Sequence, residues 1–363
     1  MSEVNRLRKP FRGLRVALTC LSHPGDESRA GLSNQRDISI APMKVEGKDA
    51  PAGRAASTIV VDEGGVGQRI DNFLVTRLKG VPKSHVYRIL RSGEVRVNSG
   101  RVAASRRLEL GDRIRVPPIR VAEREAGPAP APALELPVLF EDEHVLAVDK
   151  PAGLAVHGGS GIAHGAIERL RSARPGARFL ELVHRLDRET SGVLLLAKKR
   201  PALVALQDAL RERGMDKRYL AAVAGRVRDE LRRVRVALRK YATADGDRRV
   251  AVDEREGRTA ETVFRRLARN DEFSLVEAEL LTGRTHQIRV HLAHIGHPIL
   301  GDEKYGDFAL NKALRKRGLK RMFLHAAELA FTHPATGERV VVRSPLPEEL
   351  EAFRREQFGG EAP

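Results

Sequence analysis

The sequence has no tryptophan, four tyrosines and a single cysteine, Cys20, among its 363 residues. One thiol excludes an internal disulfide framework and any cysteine-rich zinc site, and it suits a reducing compartment. So few aromatic rings argue against a sheet that stacks unpaired bases, the device of many single-strand RNA readers. Long apolar runs are missing too. Val193 to Ala197 is among the longest and falls far short of a membrane span. Val16 to Leu21 is too short for a secretory signal and lacks its cleavage pattern. These absences predict a cytoplasmic protein that does not engage a membrane.

Acidic residues are also in short supply, 48 against 65 Lys and Arg, which leaves a formal net charge of +17. An excess of that size points to a polyanionic partner, with nucleic acid ahead of a membrane surface. Its position says more than its sum: Gln68 to Arg120 carries thirteen basic and four acidic side chains. An apolar share of 41% is enough for ordinary packed cores. The length suits about two domains.

Residues 1–62 lack sustained periodicity and are rich in Gly, Pro, Ser and scattered charge, which predicts a disordered extension. The first strand-like run is Thr58 to Val61, and Met43 precedes that run, so a start there would lose little foldable sequence. Residues 63–120 read as a small domain. Ile70, Phe73, Leu74 and Leu78 recur at helical spacing, closed by Gly80 and Pro82. Ser84 is the expected cap of a second helix, with Val86, Ile89 and Leu90 inward and Lys83, Arg88 and Arg91 outward. A hairpin turning at Asn98-Ser99-Gly100 and a strand pair over Leu108 to Val116 follow. The strings Gln68-Arg69-Ile70-Asp71 and Pro82-Lys83-Ser84, with the run Arg88 to Asn98, resemble the S4 RNA-binding domain. The resemblance implies contact with structured RNA through the helices and hairpin, and so through Arg69, Lys83, Arg88, Arg91 and Arg96.

Residues 121–136 form a linker, because the alternating Pro and Ala of Gly127 to Pro132 disfavour both helix and ladder. Residues 137–363 mix strand-like runs with helical stretches without regular alternation. Strands are expected at Val145 to Asp149, Gly192 to Ala197, Tyr219 to Val223, Phe273 to Leu281 and Glu338 to Arg343. Helices are expected near 165–172, 201–213, 285–295 and 347–356. This predicts an α+β domain around a mainly antiparallel sheet, preceded by a small α/β module.

The densest polar cluster runs from His184 to Gly192 and sets Asp187 between Arg185 and Arg188, ahead of an apolar strand. Alone, such a string is more often a turn with surface ion pairs. Its functional reading is a carboxylate kept charged by its neighbours, ready to act as nucleophile or base. Three further segments shift the balance. Asp149-Lys150-Pro151-Ala152-Gly153 leads into a Gly-rich loop through His157 to Gly161, without the Gly-Lys-Ser/Thr ending of a P-loop. Lys217-Arg218-Tyr219 places a rare tyrosine at a strand start. Thr282-Gly283-Arg284-Thr285-His286-Gln287-Ile288-Arg289 opens a helix, where N–H groups favour an anion.

Taken together, the H-R-L-D-R-x-T-S-G string, the K-P-x-G loop, the [KR]-x-Y strand and the G-R-T-H-Q-I-R helix resemble the RluA/RluC-type pseudouridine synthases over residues 64–352. Within that family the likeness favours the subgroup that modifies several uridines of large-subunit (23S) ribosomal RNA. The resemblance implies that Asp187 is the catalytic aspartate. Tyr219 is then expected to stack on the flipped uracil, and Arg284 to pair with Asp187. Arg185 is expected to fill the place that the base vacates, while Lys150 and the loop at His157 shape the pocket rim. Breaking N1–C1′ and rejoining through C5 oxidises nothing and needs no cofactor. The expected partner is large-subunit ribosomal RNA or a pre-ribosomal particle, met by a monomer. His286, His291, His294 and His297 invite a metal, but no cysteine or paired carboxylate completes a site and none is expected. Other readings are a non-catalytic S4-type assembly factor, a base-releasing glycosidase, and a related synthase acting on other rRNA or tRNA uridines.

Overall fold

The computed structural model describes residues 56–62, 64–78, 80–119, 131–159, 161–243 and 246–360. The expected N-terminal extension up to residue 55, and most of the Pro/Ala linker, lie outside these. Among the described residues there are two separate sheets, the smaller with one apolar cluster and the larger with four.

The first is small. Its elements are β1 (Ser57–Val60), α1 (Ile70–Arg77), α2 (Lys83–Arg91), β2 (Arg96–Val97), β3 (Gly100–Arg101) and β4 (Arg113–Val116), in sheet order β1-β4-β2-β3. Ile70, Phe73 and Leu74 of α1 and Val86, Ile89 and Leu90 of α2 meet Val95, Val97, Leu108, Ile114 and Val116 in one core. Burying each of the larger side chains contributes about 1.5–3 kcal/mol relative to exposure. Asn98 and Ser99 both take positive φ, 48° and 69°, the twist that a two-residue hairpin requires. Three expectations need correction. Ser57–Val60 is not part of a disordered extension but an edge strand paired antiparallel with β4. Pro82, not Ser84, caps α2, its fixed φ of −58° suiting the position. The strand near Leu108 is only a short backbone crossing, Leu108 N–H donating to Gln68 at 2.9 Å.

The second sheet carries the remaining strands. In chain order the elements are β5 (Val138–Glu141), β6 (Val145–Lys150), α3 (Ala166–Ala173), β7 (Glu181–Leu182), β8 (Ser191–Ala197), α4 (Arg200–Arg211), β9 (Asp216–Ala224), β10 (Leu231–Ala242), β11 (Arg248–Val252), β12 (Arg258–Arg269), β13 (Phe273–Leu280), α5 (Gln287–His294), α6 (Phe308–Lys316), β14 (Leu324–Thr332), β15 (Arg339–Arg343) and α7 (Glu348–Phe358). The strand order is β11-β10-β12-β13-β9-β14-β8-β6-β5, with β15 on β14 and β7 on β8. Only β8 and β14 run parallel, so the sheet is mixed but mainly antiparallel. Leu136, assigned to the linker from sequence, is buried in this domain's core instead.

After Ser191, strand β8 is apolar to its end because both of its faces are covered. Leu194 and Leu196 join the cluster beneath α3, while Val193, Leu195 and Ala197 join the one beneath α4. Its first residues approach β14 so closely that only glycine fits at 192. A Cβ there would lie 2.2 Å from the Ala326 carbonyl oxygen, and φ is +109°. This close approach fixes where the preceding loop, with Asp187, leaves the sheet.

Candidate active site

Asp187 lies in the loop between β7 and β8, inside a pocket of about 1360 Å³. The loop is braced from several sides. Thr190 N–H donates to the Asp187 carbonyl at 3.2 Å, and Leu195 N–H donates to His184 Nε2 at 3.1 Å. Burial holds the His184 pKa down to about 4, so its ring stays a neutral acceptor. Arg321 donates to Ser191 Oγ at 2.7 Å, and that hydroxyl lies 2.9 Å from His325 Nδ1. Lys150 closes the base of the loop. Its ammonium reaches the carbonyls of Pro151 at 2.7 Å, Leu154 at 2.9 Å and Arg188 at 3.1 Å.

The cation on Asp187 is not the expected one. Arg289 of α5 reaches Asp187 Oδ2 at 3.3 Å and grips Asp302 with both prongs at 2.7 Å. Burial opposes the charge on Arg289, but the hydrogen bonds and charge of Asp302, with Asp187 adding to them, outweigh it and raise the pKa. Asp302 shows the converse: burial disfavours its charge, and Arg289 nevertheless lowers its pKa. Arg284 is exposed and donates to the Thr259 carbonyl at 3.2 Å, so it does not pair with Asp187. Nor do the two arginines beside Asp187 in the sequence. Arg188 bonds the Gly153 carbonyl and Glu189, while Arg185 has no side-chain partner among the described residues.

The start of α5 explains which arginine reaches inward. Gln287 ties it down: its Oε1 accepts from Arg284 N–H and Thr282 Oγ, while its Nε2 donates to the Glu261 carbonyl and Thr262 Oγ. From there α5 is buried on more than one side, Ile288 and Leu292 in the main core and Val290 against Leu238, Val250 and Ala260. Arg289, 5% exposed, sits within this apolar stretch. An arginine among buried helical residues needs a carboxylate partner, and that signal was present in the sequence.

Tyr219 of β9 lines the same pocket and is 7% exposed. Its register neighbours, Ala278 on β13 and Ala326 on β14, are small enough to leave room for the ring. Burial, with the Asp187 charge, raises the phenol's pKa and keeps it protonated. Arg185, His157 and Arg284 also line the pocket, as do Lys217, Arg248 and Lys320, giving a cationic mouth. Lys150 does not. It is wholly buried, where its pKa falls to about 7, and it acts on the loop rather than on a ligand. The histidines considered for a metal diverge: His291 is buried without a partner among the described residues, His297 bonds the Ala224 carbonyl, and His286 reaches Tyr305.

In the small domain, Lys83, Arg88 and Arg91 are exposed on α2, the last two beside a shallow depression also lined by Ser84 and Ser92. Arg69 is engaged differently, paired with Asp71 at 2.7 Å. Arg96 on β2 stands opposite Arg101 and Arg115 on its two neighbouring strands.

Residues 144–294 match the family model described as RNA pseudouridylate synthase, and residues 68–114 match that of the S4 domain. The chain is 53% identical over 300 residues to the ribosomal large subunit pseudouridine synthase C of Escherichia coli (strain K12), covering 80% of this chain and 93% of that protein. It is 49% identical over 302 residues to the protein of the same name from Pasteurella multocida (strain Pm70), covering 82% and 92%. Among solved structures, human RNA Pseudouridylate Synthase Domain Containing 4 superposes with a TM-score of 0.51 at 28% identity, over 60% of this chain and 92% of that one. With these two family models matched and relatives about half identical over most of their length, the chain belongs to the RNA pseudouridylate synthase family.

Proposed function

We propose that the enzyme isomerises specific uridines of large-subunit ribosomal RNA, with Asp187 as the catalytic carboxylate. The observation that carries this reading is the Asp187–Arg289 pair beside Tyr219 in a pocket with a cationic mouth. A nucleotide inside a helix cannot present its glycosidic bond to a recessed carboxylate, so the uridine must be flipped out. That extraction costs a few kcal/mol, which contacts to the RNA backbone offset. Arg185, exposed at the mouth and unpaired among the described residues, is suited to fill the vacated place in the stack. Tyr219 offers the uracil a face to stack on and, being protonated, a donor. Arg284 and His157 act at the rim. Attack at C1′, addition at C6 and removal of a ribose proton all begin from the Asp187 carboxylate, and none requires a cofactor.

The large-subunit substrate is supported by the names of the relatives that share about half of all aligned positions. The row of Arg96, Arg101 and Arg115 supports RNA as the small domain's partner, because like charges directly opposite one another destabilise a sheet unless an anion lies across them. Asp187, Tyr219 and Arg289 come from one chain, which supports action as a monomer. Among the described residues no helix is long and apolar enough to cross a membrane; together with the substrate, this supports work in the cytoplasm on ribosomal RNA or a pre-ribosomal particle.

The test is pseudouridine mapping of ribosomal RNA from cells lacking the gene, complemented with wild type or with Asp187→Asn. Wild type should restore a defined set of large-subunit sites. Asp187→Asn should restore none, its turnover falling on the order of a thousandfold or more with RNA affinity nearly unchanged. An unaltered pattern in the deletion strain would refute the substrate; restoration by Asp187→Asn would refute the catalytic residue.

A further inference from the structure

His286 lines the pocket beside Asp187, and nothing in the reaction described above uses it. It caps α5 with φ 54° and ψ 20°, a left-handed conformation uncommon for a residue with a Cβ and concentrated at working sites. The ring is held from behind. Its Nδ1 lies 2.7 Å from the Tyr305 hydroxyl, which itself accepts the Val250 N–H at 2.9 Å. Tyr305 has one hydrogen to give, and among the described residues His286 Nδ1 is the sole acceptor within its reach. The hydroxyl therefore donates to Nδ1, and the neutral imidazole carries its own hydrogen on Nε2. Burial keeps the ring neutral by lowering its pKa, although Asp187 pulls the other way.

That Nε2–H lies 4.0 Å from Asp187 Oδ1, too far for a direct hydrogen bond. Both side chains keep part of their surface open, 15% for His286 and 25% for Asp187. A single oxygen about 2.8 Å from each atom would see them at an angle of about 90°, an arrangement that one bridging group can satisfy. The bridging group must accept from an N–H and donate to a carboxylate. A hydroxyl does both. A carbonyl has no hydrogen for Asp187, and a phosphate oxygen would set like charge against it. Arg289 already occupies the other carboxylate oxygen, which leaves Oδ1 for the ligand. On a flipped uridine, the hydroxyl nearest the bond to be broken is the ribose 2′-OH, on the carbon next to C1′.

We propose that His286 and Asp187 form a ribose-hydroxyl subsite, His286 donating to the 2′-OH of the target nucleotide and Asp187 accepting from it. The enzyme then checks for ribose at the place where it breaks the glycosidic bond. This deepens the uridine-isomerase reading and rests on it.

The experiment compares single-turnover rates, at saturating enzyme, on two RNA oligonucleotides carrying uridine or 2′-deoxyuridine at one position. That position is chosen from those that mapping has shown wild type to convert, so the reaction itself is settled before the ratio is read. The proteins are wild type, His286→Asn and Tyr305→Phe. Asparagine tolerates the left-handed backbone at 286 but is too short to bridge. Wild type should favour the ribose substrate by about tenfold or more, the worth of a well-made hydrogen bond. His286→Asn should lose about as much on the ribose substrate and little on the deoxy one, so that the preference collapses. Tyr305→Phe, which frees the tautomer but keeps the donor, should shrink the preference less. Equal slowing of both substrates by His286→Asn would overturn the subsite, as would a wild type that converts both at one rate.

Discussion

Arg96 and Arg289 both carry positive charge, one in the small domain and one lining the Asp187 pocket, yet they are built into the protein in opposite ways. Arg289 is 5% exposed, and both sides of its guanidinium are claimed, by Asp302 and by Asp187. Arg96 has no side-chain partner among the described residues and faces two more arginines across its strand. The buried arginine serves geometry. It fixes one carboxylate relative to a sheet, and the protein supplies the opposite charge. The other, half-buried, has no internal source of opposite charge among the described residues, so that charge has to come from outside. A cation whose partner is internal cannot be removed without leaving a buried carboxylate unpaired, at a cost of about 3–5 kcal/mol. A cation without an internal partner can be removed at no cost to the fold.

The largest expected effect lies at the buried end. Lysine at 289 keeps the charge but cannot serve two carboxylates with one ammonium, because it lacks the planar fork. Arg289→Lys should lower single-turnover rate by about a hundredfold, the order that an ångström of misplacement costs, and lower the melting temperature as well. Arg284→Lys is the matched control. Its guanidinium makes one bond to a backbone carbonyl, so the chemical step should stay near wild type and only RNA affinity should fall, by less than about tenfold. Measured side by side, a slow Arg284→Lys and a normal Arg289→Lys would invert the assignment of the two arginines.

That pair of arginines also shows where the sequence stops being legible. Asp187, Tyr219 and the strands β8 and β9 that follow or carry them are readable because their motifs are local and the strands are short apolar runs. Which of two arginines five positions apart reaches Asp187 depends on a left-handed residue at 286 and on Gln287 binding Glu261 and Thr262 from another strand. None of that is a property of a short window. Lys150 was visible as part of a motif, but its complete burial against three carbonyls was not. In the small domain the helices and hairpin lie within one stretch and could be read directly. Strand β1 was readable as the strand-like run Thr58 to Val61, but its place in this domain was not, because its partner in β4 lies far along the chain, Ser57 opposite Val116. Strands β10 and β12 hid for another reason. Their exposed faces are arginine-rich, which lowers mean hydropathy until only the alternation remains, with Val234, Val236 and Leu238 on one face of β10.

A smaller effect tests the buried end by pH. His291 on α5 is fully buried, neither ring nitrogen has a partner among the described residues, and burial holds its pKa down to about 4. In the unfolded chain the ring takes up a proton as pH falls below about 6.5, while in the folded chain it resists until about 4. Between those values the unfolded state binds more protons, so the stability that His291 permits above pH 6.5 is lost progressively on acidification. One pKa unit is worth about 1.4 kcal/mol, which bounds the loss at about 3 kcal/mol by pH 4. His291→Leu should remove that part of the slope and match or exceed wild-type stability at pH 5. Denaturant unfolding at pH 5 and pH 7.5 measures it, and an unchanged slope would mean that this ring is not what acid attacks.

The smallest effect belongs to Arg96, and its two halves have opposite signs. If the arginine row is simply a solvated face, Arg96→Gln should change neither RNA affinity nor its dependence on salt. If the row is held ready for a phosphate, the substitution relieves repulsion in the free protein and removes one contact in the complex. Stability should then rise by a few tenths of a kcal/mol, within the roughly 0.2–1 kcal/mol range of cross-strand pairs. RNA affinity should fall a few-fold at moderate salt, and the slope of log affinity against log salt should shrink by about 0.7–0.9, one phosphate's worth. Single-turnover rate at saturating enzyme should not move, since Arg96 lies outside the residues that line the catalytic pocket. Arg69→Gln supplies the contrast. Arg69 is paired with Asp71, so its loss should leave a nearly buried carboxylate without its cation and destabilise the domain instead. Opposite signs for these two arginines in one thermal melt would separate a cation that waits for RNA from one that holds the fold.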